Sequence, residues 1–310
     1  MPIAFLALID GAETTDMKIP ILQTVKGAVR RLRCHLLRND IRRAVQARFD
    51  VLAGEGYIFI RPAGDHRIAV FPSDKVIGAT LLSSGDWFRA QTTWAIEFLA
   101  SRNLLPPSPV FVDVGANIGT QSLYAMLSGR FDRVLALEPA SAQFDLLRLN
   151  AFLGNFQERI ACRRVAAGSG SETLPLVLNP TNQGDNRLSR NAGPEVAKVP
   201  VEPLDAILAA ENILPAEIGL VWIDVQGHEP EVSEGMSTVL HASVPLVVEF
   251  NSDQYGPEGT LRFIRLLEQH YDRCIDITAA DRTTHSLDHL NHVRAGADVL
   301  LYRENRGRTS

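Results

Sequence analysis

A glycine-rich turn follows an apolar run in the middle of the chain. The run is VFVDV (110–114), and after Asp113 the turn GANIG places Gly115, Asn117 and Gly119 at close spacing. A short apolar run that is bounded by a turn predicts a buried strand. Because glycine has no Cβ, the main chain there can approach a ligand closely. The spacing therefore predicts a ligand-binding turn at the end of a strand.

A second apolar run, 134–138, ends in Glu138, which lies 19 positions after Gly119. A carboxylate at this interval can accept hydrogen bonds from the hydroxyls of a ribose. A dinucleotide-binding turn reads G-x-G-x-x-G, whereas this turn reads G-x-N-x-G. Together the two features predict a nucleoside ligand without a pyrophosphate, and S-adenosylmethionine fits that description. The competing interpretation is a tight turn with a solvated acid behind it.

Candidate proton-transfer groups follow a later apolar run, 220–224, in the segment DVQGHEP. Asp224 ends the run, and His228 titrates in the range that suits a general base. Asp224, His228 and Glu229 are therefore the predicted catalytic residues. A positioned base typically speeds a reaction that requires proton transfer ~10²–10⁴-fold. The alternatives are a structural hydrogen bond for His228 and a favourable helix-dipole interaction for Glu229.

Glu249 and Asn251 lie at the end of the run 246–250. Together with Asp224 they could supply oxygen ligands to Mg²⁺, or they could bind hydroxyl groups of a substrate. The spacing matches no metal-binding motif. We therefore favour substrate binding and predict no metal.

The polar segment NPTNQGDNRLS (179–189) lies between two weak β runs. Loops on a rigid scaffold often carry specificity. Asn182, Asp185, Asn186 and Arg187 offer donors and acceptors for a polyhydroxylated substrate, and we predict substrate contacts for Asn186 and Arg187. An ordinary solvated hairpin tip is the alternative.

Three histidines, His285, His289 and His292, have a spacing that places them on one face of a helix. They lack the carboxylate pattern of a hydrolytic zinc site, so a loop at the substrate edge or an exposed helix is the better interpretation. The three cysteines, at positions 34, 162 and 274, are far apart. They suggest neither a disulfide framework nor a zinc site, and they fit a reducing cytosol.

Strand-like and helical runs alternate from residue 110 onwards. The strand-like runs lie at 110–114, 134–138, 160–165, 220–224 and 246–250. The helical runs lie at 118–127, 140–153, 204–211, 229–240 and 259–270. This alternation predicts an α/β fold, a Rossmann-like parallel sheet with helices on both faces. The runs RCIDI and ADVLLYR near the end flank a polar stretch, which predicts an antiparallel last pair.

The first 105 residues differ in pattern from the rest. Residues 21–52 predict an amphipathic helix with a basic face, which could contact an anionic membrane, an acidic partner or a carrier protein. The alternative is a helix that lies on the chain's own domain with its basic face in solvent. A β-hairpin and a helix at 87–100 follow, and a proline-rich linker comes next. We predict an N-terminal extension at 1–105, which could act as a lid, and a ligand-binding domain at 106–310.

Composition narrows the class of protein. The chain has 310 residues, 45% of them hydrophobic, and a net charge of −5. These values are typical of a globular protein and give no global footprint for nucleic acid. The start MPIAFLALIDG lacks a basic region, so it is a poor signal peptide, and no apolar run is long enough to cross a bilayer. We therefore expect a cytoplasmic protein.

The sequence resembles the FkbM-type methyltransferases in FVDVGANIGTQS, LALEPASAQFDLLRLNAFL, VPVEPLDAIL, VWIDVQGHEPEVSEGM and PLVVEF, which occur in the family's order. The resemblance implies a seven-stranded sheet with a reversed final strand, and O-methylation of a hydroxyl on a sugar or polyketide by S-adenosylmethionine. It also assigns roles in cofactor binding. The implied cofactor residues are Asp113, Gly115, Asn117 and Gly119 at the methionine, Glu138 at the ribose, and Ala166 and Ala167 near the adenine.

One departure from the family pattern concerns the proposed chemistry. The family usually reads DVEG.E after its fourth strand, whereas this chain reads DVQGHE with Gln226 in place of the glutamate, and Trp222 stands where lysine is frequent. An amide carries no charge and takes no proton at neutral pH. The leading hypothesis is an O-methyltransferase. Its rivals are a non-catalytic nucleoside-binding module and a dinucleotide-dependent oxidoreductase.

Overall fold

The computed structural model describes residues 57–190 and 197–304. The strands are β1 (Phe59–Pro62), β2 (Arg67–Val70), β3 (Val110–Val114), β4 (Arg133–Leu137), β5 (Ile160–Arg163), β6 (Ala166–Ala167), β7 (Glu172–Val177), β8 (Arg187–Leu188), β9 (Ala197–Glu202), β10 (Ile218–Ile223), β11 (Leu246–Phe250), β12 (Arg273–Asp276) and β13 (Ala297–Tyr302). The helices are α1 (Ile77–Ser84), α2 (Arg89–Ser101), α3 (Thr120–Leu127), α4 (Ser141–Leu153), α5 (Leu204–Ala210), α6 (Glu229–Glu234), α7 (Ser237–His241) and α8 (Ser252–Glu268). Short 3₁₀ turns lie at Gln183–Asp185, Pro215–Glu217 and Leu287–His292.

The central sheet has seven strands in the order β12-β13-β11-β10-β3-β4-β5. β10, β3, β4, β5 and β11 pair in parallel, and β13 pairs antiparallel with both β11 and β12. The predicted Rossmann-like sheet with a reversed last strand is confirmed. The chain runs outward in one direction from β3 through β5 and in the other from β10, so the order reverses between β3 and β10. Ligands of such sheets bind at the carboxyl edge near this point.

Side chains alternate between two hydrophobic clusters, one on each face of the sheet. On β3, Phe111 belongs to one cluster and Val112 to the other. Helices α2, α3 and α4 bury residues such as Ile96 in the first cluster, and α5, α6 and α8 bury residues such as Phe263 in the second. Every residue of β3 and β10 is buried, which explains why these strands read as continuous apolar runs.

Residues 57–105 contribute to the cluster that contains Phe111. The predicted hairpin is present as β1 and β2, and α1 is a helix that the sequence pattern did not predict. Asn150 of α4 links this segment to the glycine-rich turn after β3, because its side-chain amide donates hydrogen bonds to the carbonyls of Ala69 and Ile118 at 3.1 and 2.8 Å. The boundary at Pro106 stays a prediction, and the helix at 21–52 lies outside the described residues.

Three predicted elements differ in the structure. The helix expected at 229–240 is divided into α6 and α7, with Gly235 at the end of α6. A Cβ on Gly235 would lie 2.0 Å from the carbonyl oxygen of Gly168, so this position requires glycine. The helix expected at 259–270 begins at Ser252 and contains a kink at Gly256. The strand expected at 160–165 ends at Arg163, and β6 belongs to a separate sheet of order β6-β9-β7-β8. None of the described helices is long and apolar enough to cross a membrane.

Candidate active site

A cavity lies at the carboxyl edge of the central sheet, with about 1320 Å³ of empty volume including its mouth. The predicted site residues that line it are Gly115, Asn117, Glu138, Ala166, Ala167, Asn186, Asp224 and Glu249. The predicted residues that do not line it are Asp113, Gly119, Arg187, His228, Glu229 and Asn251. The structure thus brings the ends of β3, β4, β10 and β11 together, as expected, but turns several of their side chains elsewhere.

The two glycines of the turn are explained by the protein itself. A Cβ on Gly115, which has φ +85°, would lie 1.9 Å from the carbonyl oxygen of Asp224. For Gly119 the reason is its φ of +88°, which favours glycine, because the atom nearest to an added Cβ, Cδ1 of Leu147 at 2.6 Å, is the end of a flexible side chain that can move. The physical reason expected from the sequence, close approach to a ligand, is therefore not needed to explain either glycine.

Glu138 is buried at the cavity and holds the turn in place. Its Oε2 accepts a hydrogen bond from the main-chain N–H of Asn117 at 2.9 Å, and its Oε1 accepts one from Ala140 at 2.7 Å. Burial raises the pKa of Glu138 to about 7, although both N–H donors oppose the shift. A carboxylate has about four lone-pair sites, so Glu138 can still accept hydrogen bonds from a ligand.

Asp113 is inside the protein rather than at the cavity. Its Oδ2 accepts a hydrogen bond of 2.5 Å from the hydroxyl of Ser122 in α3, and the residue is 1% exposed. Burial raises its pKa to about 7. Its predicted contact with a ligand is therefore corrected to a structural role, in which it attaches the end of β3 to α3.

Asp224 and Glu249 form a bridged pair at the cavity. Gln226 donates from its Nε2 to Oδ1 of Asp224 at 2.7 Å and to Oε2 of Glu249 at 2.8 Å. Burial raises the pKa of both acids, that of Glu249 to about 10, where the charge of Asp224 adds to the effect. The amide that departs from the family pattern thus supplies N–H donors that an ionised glutamate would lack.

Glu229 holds the loop after β10 and does not reach the cavity. Its carboxylate accepts hydrogen bonds from the main-chain N–H groups of Val225 at 3.0 Å and Gly227 at 3.0 Å, and from the hydroxyl of Tyr255 at 2.9 Å. The residue is fully buried, and burial raises its pKa to about 7. These contacts give Glu229 a structural role, and its predicted catalytic role stays a prediction.

His228 also does not line the cavity. It is the N-cap of α6, its Nδ1 lies 3.6 Å from Oε2 of Glu231, and a Cβ on Gly168 would lie 3.2 Å from its Nε2. Burial lowers its pKa, which favours a neutral ring. The structure supports the structural alternative for His228 rather than proton transfer.

The remaining predicted residues divide in the same way. Asn251 is the N-cap of α8, and its main-chain N–H donates a hydrogen bond to the hydroxyl oxygen of Tyr255 at 3.0 Å. Arg187 pairs with Asp185 outside the cavity. Asn186 lines the cavity while its Oδ1 accepts a hydrogen bond from the main chain of Asn179 at 2.9 Å.

The histidine segment is not arranged for metal binding. The rings of His285 and His289 stack with centroids 3.8 Å apart, and His292 lies further along the same 3₁₀ turn. Among residues 57–190 and 197–304 no group of three or more histidine, cysteine or acidic side chains could hold a metal ion.

Several cavity residues escaped the sequence analysis. Trp87 and Phe88 from the N-terminal segment line the cavity, and so does Asp298 of β13. The polar loop also contributes Asn182, Gln183, Gly184 and Asn186 to the lining of the cavity. This loop is attached to the N-terminal segment by a hydrogen bond that Gln183 Nε2 donates to Ser73 Oγ at 3.1 Å. In the sequence, the only indication for Trp87 and Phe88 was that two aromatic residues precede a predicted helix. No sequence pattern indicated Asp298, because it reaches the cavity only through the pairing of its strand.

Comparisons with known proteins agree with the resemblance. The FkbM methyltransferase domain model matches residues 113–274, more than half of the chain. The methyltransferase sdnD of Sordaria araneosa is 29% identical over 219 residues, which cover 62% of this chain and 82% of that protein.

Solved structures resemble the chain more distantly. The FkbM methyltransferase from Methylobacillus flagellatus KT is 18% identical with a TM-score of 0.41, over 70% of this chain and 55% of that one. An O-methyltransferase from Bacillus cereus in complex with SAH is 13% identical with a TM-score of 0.41, over 70% of this chain and 83% of that one. The extent of the family match is decisive: this chain belongs to the FkbM methyltransferase domain family and has a Rossmann-like methyltransferase fold.

Proposed function

We propose that the protein is an S-adenosylmethionine-dependent O-methyltransferase that acts on a hydroxyl of a sugar-containing or polyketide-like metabolite. The observation that carries the proposal is the cavity itself, where the turn after β3 and the acid after β4 meet the half-buried carboxyl groups of Asp224 and Glu249. The proposed cofactor and the proposed acceptor would occupy the two ends of this cavity.

The residues at the first end fit the cofactor. Asn117 Oδ1 is buried and has no hydrogen-bond partner among the described residues, so it can accept from the ligand's ammonium group. Glu138 has lone pairs left for ribose hydroxyls. Ala166 and Ala167 provide an apolar wall suited to an adenine ring. These donors, acceptors and walls suit a nucleoside that carries an amino acid and no phosphate.

When bound, the cofactor supplies a methyl group attached to a positively charged sulfur. The chain's own contribution is to hold the acceptor hydroxyl in line with that group, and such orientation can contribute up to roughly 7–11 kcal/mol. Asp224 is placed to accept the hydroxyl proton, since burial raises its pKa and makes its carboxylate a stronger base. Glu249, with a pKa of about 10, stays protonated at neutral pH beside it.

Calorimetry with S-adenosylhomocysteine and NAD⁺ tests the cofactor assignment. We expect binding of the first compound and none of the second. Glu138→Gln should weaken S-adenosylhomocysteine binding at least tenfold, because hydrogen bonds to a charged group contribute about 1.5–3 kcal/mol each. The exposed Glu158→Gln is the matched control. Tight NAD⁺ binding without a response to S-adenosylhomocysteine would instead favour an oxidoreductase.

Turnover tests the role of Asp224. We expect Asp224→Asn to lower the rate of methyl transfer far more than the affinity for S-adenosylhomocysteine, because the amide cannot take a proton. Equal losses would assign Asp224 to ligand binding. If the wild-type protein binds S-adenosylhomocysteine but methylates no sugar or polyketide acceptor, the non-catalytic module becomes the better account.

A further inference from the structure

Three carboxyl groups lie side by side on adjacent strands at the second end of the cavity. Glu249 of β11 is the direct partner of Asp298 on the antiparallel strand β13. Ile223 of β10 pairs with Val248, so Asp224, the next residue, is level with Glu249. All three acids line the cavity. We call Asp224, Glu249 and Asp298 the carboxylate cluster.

Asp298 has a free carboxylate in this cluster. The residue is 8% exposed, and its side chain makes no hydrogen bond or ion pair with any described residue. By contrast, Gln226 bridges the other two acids. Asp298 lines the cavity and no described side chain donates a hydrogen bond to it, so a ligand in the cavity can supply the donor.

The surroundings of the cluster lack positive charge. Of the described residues that line the cavity, none is lysine, arginine or histidine. Burial, together with repulsion from Asp224 and Asp276, raises the pKa of Asp298 to about 8. Both Asp224 and Asp298 contribute to the raised pKa of Glu249. Burial and repulsion between the acids thus raise their pKa values, and a bound cation would lower them.

We propose that Glu249 and Asp298 of the carboxylate cluster bind an ammonium group of the acceptor, so that the acceptor is an amino-bearing polyhydroxylated molecule such as an amino sugar. The inference rests on the proposed function, which makes the acceptor a hydroxyl compound and leaves Asp224 to take the hydroxyl proton. An ammonium group has three N–H donors and can bond to both acids at once, once Glu249 has released its proton. A metal ion is a poorer match, because no described group of acidic side chains has suitable metal geometry.

The test uses the full-length protein saturated with S-adenosylhomocysteine, titrated with glucosamine or with N-acetylglucosamine. The two sugars differ in charge at one nitrogen. We expect glucosamine to bind at least tenfold more tightly and to release protons from the cluster, measured as a heat that depends on the buffer's ionisation enthalpy. Asp298→Asn should weaken glucosamine binding at least tenfold and change the affinity for S-adenosylhomocysteine less than twofold.

Asp132→Asn is the matched control, since Asp132 is exposed and precedes β4 at the opposite edge of the sheet. If Asp298→Asn does not fold, Glu249→Gln tests the same cluster. Equal affinity for both sugars, no binding of either, or displacement of glucosamine by Mg²⁺ would overturn the inference while leaving the proposed function in place. Failure of S-adenosylhomocysteine to bind would instead count against the proposed function, and the sugars are then compared on the free protein.

Discussion

Replacing Gln226 by glutamate tests whether the amide holds the two acids together. Gln226 donates to Asp224 at 2.7 Å and to Glu249 at 2.8 Å. Because Glu249 stays protonated, only the hydrogen bond to Asp224 has a charged partner. A hydrogen bond to a charged group contributes about 1.5–3 kcal/mol and one between neutral groups about 0.5–1.5 kcal/mol, so losing both would cost about 2–4.5 kcal/mol. An ionised glutamate would also repel the carboxylate of Asp224 by about 4 kcal/mol at 4 Å and an effective dielectric constant of 20. Proton uptake by the new carboxyl relieves part of both costs.

We therefore expect Gln226→Glu to lower the free energy of unfolding by at least about 2 kcal/mol at pH 8, and by less at pH 5.5. The protonated carboxyl can still donate one hydrogen bond, so its folded pKa is raised and the loss grows as pH rises. Urea denaturation at both pH values measures the effect, and the exposed Gln157→Glu is the control. A variant as stable as wild type at pH 8, or one with faster methyl transfer, would refute the bridging role.

Two further predictions concern the turn and the buried acids. Gly115→Ala should destabilise the protein by at least about 2 kcal/mol, through the contact with Asp224 and the positive φ, whereas Gly129→Ala, at φ +67° with nothing within 4 Å, should show only the smaller φ effect in urea denaturation. Equal effects would remove the packing argument. The ligand-free protein should lose stability between pH 5 and pH 8, by up to about 1.4 kcal/mol per pH unit for each acid that stays protonated only when folded. These acids are Asp113, Glu138, Glu229, Glu249 and Asp298. A urea midpoint that rises over this range would contradict the raised pKa values.

Local patterns in the sequence predicted the sheet and half of the site. The runs 110–114 and 246–250 match β3 and β11 residue for residue, because all but one of these residues are buried and apolar runs mark buried strands. The positions of Gly115 and Glu138 at the cavity followed from the same local logic. Both sit where a strand ends, and the ends of parallel strands share one edge.

Contacts between distant residues could not be predicted in this way. Asp298 reaches the cavity only through the pairing of β11 with β13, and no local motif surrounds it. From the sequence, Glu229 is expected to be an acid in the first turn of a helix near the cavity. In the structure its carboxylate is buried and accepts a hydrogen bond from the hydroxyl of Tyr255, 26 positions further along the chain. Gln226 reads as a lost acid because its two carboxylate partners become neighbours only in the folded sheet.

A crystal structure of the protein with S-adenosylhomocysteine measures the central claim most directly. We expect the ribose of the compound to lie at Glu138, its amino acid part at Asn117, and its sulfur to face the carboxylate cluster. Density for the compound at another place, or a cavity that stays empty at saturating ligand, would contradict it.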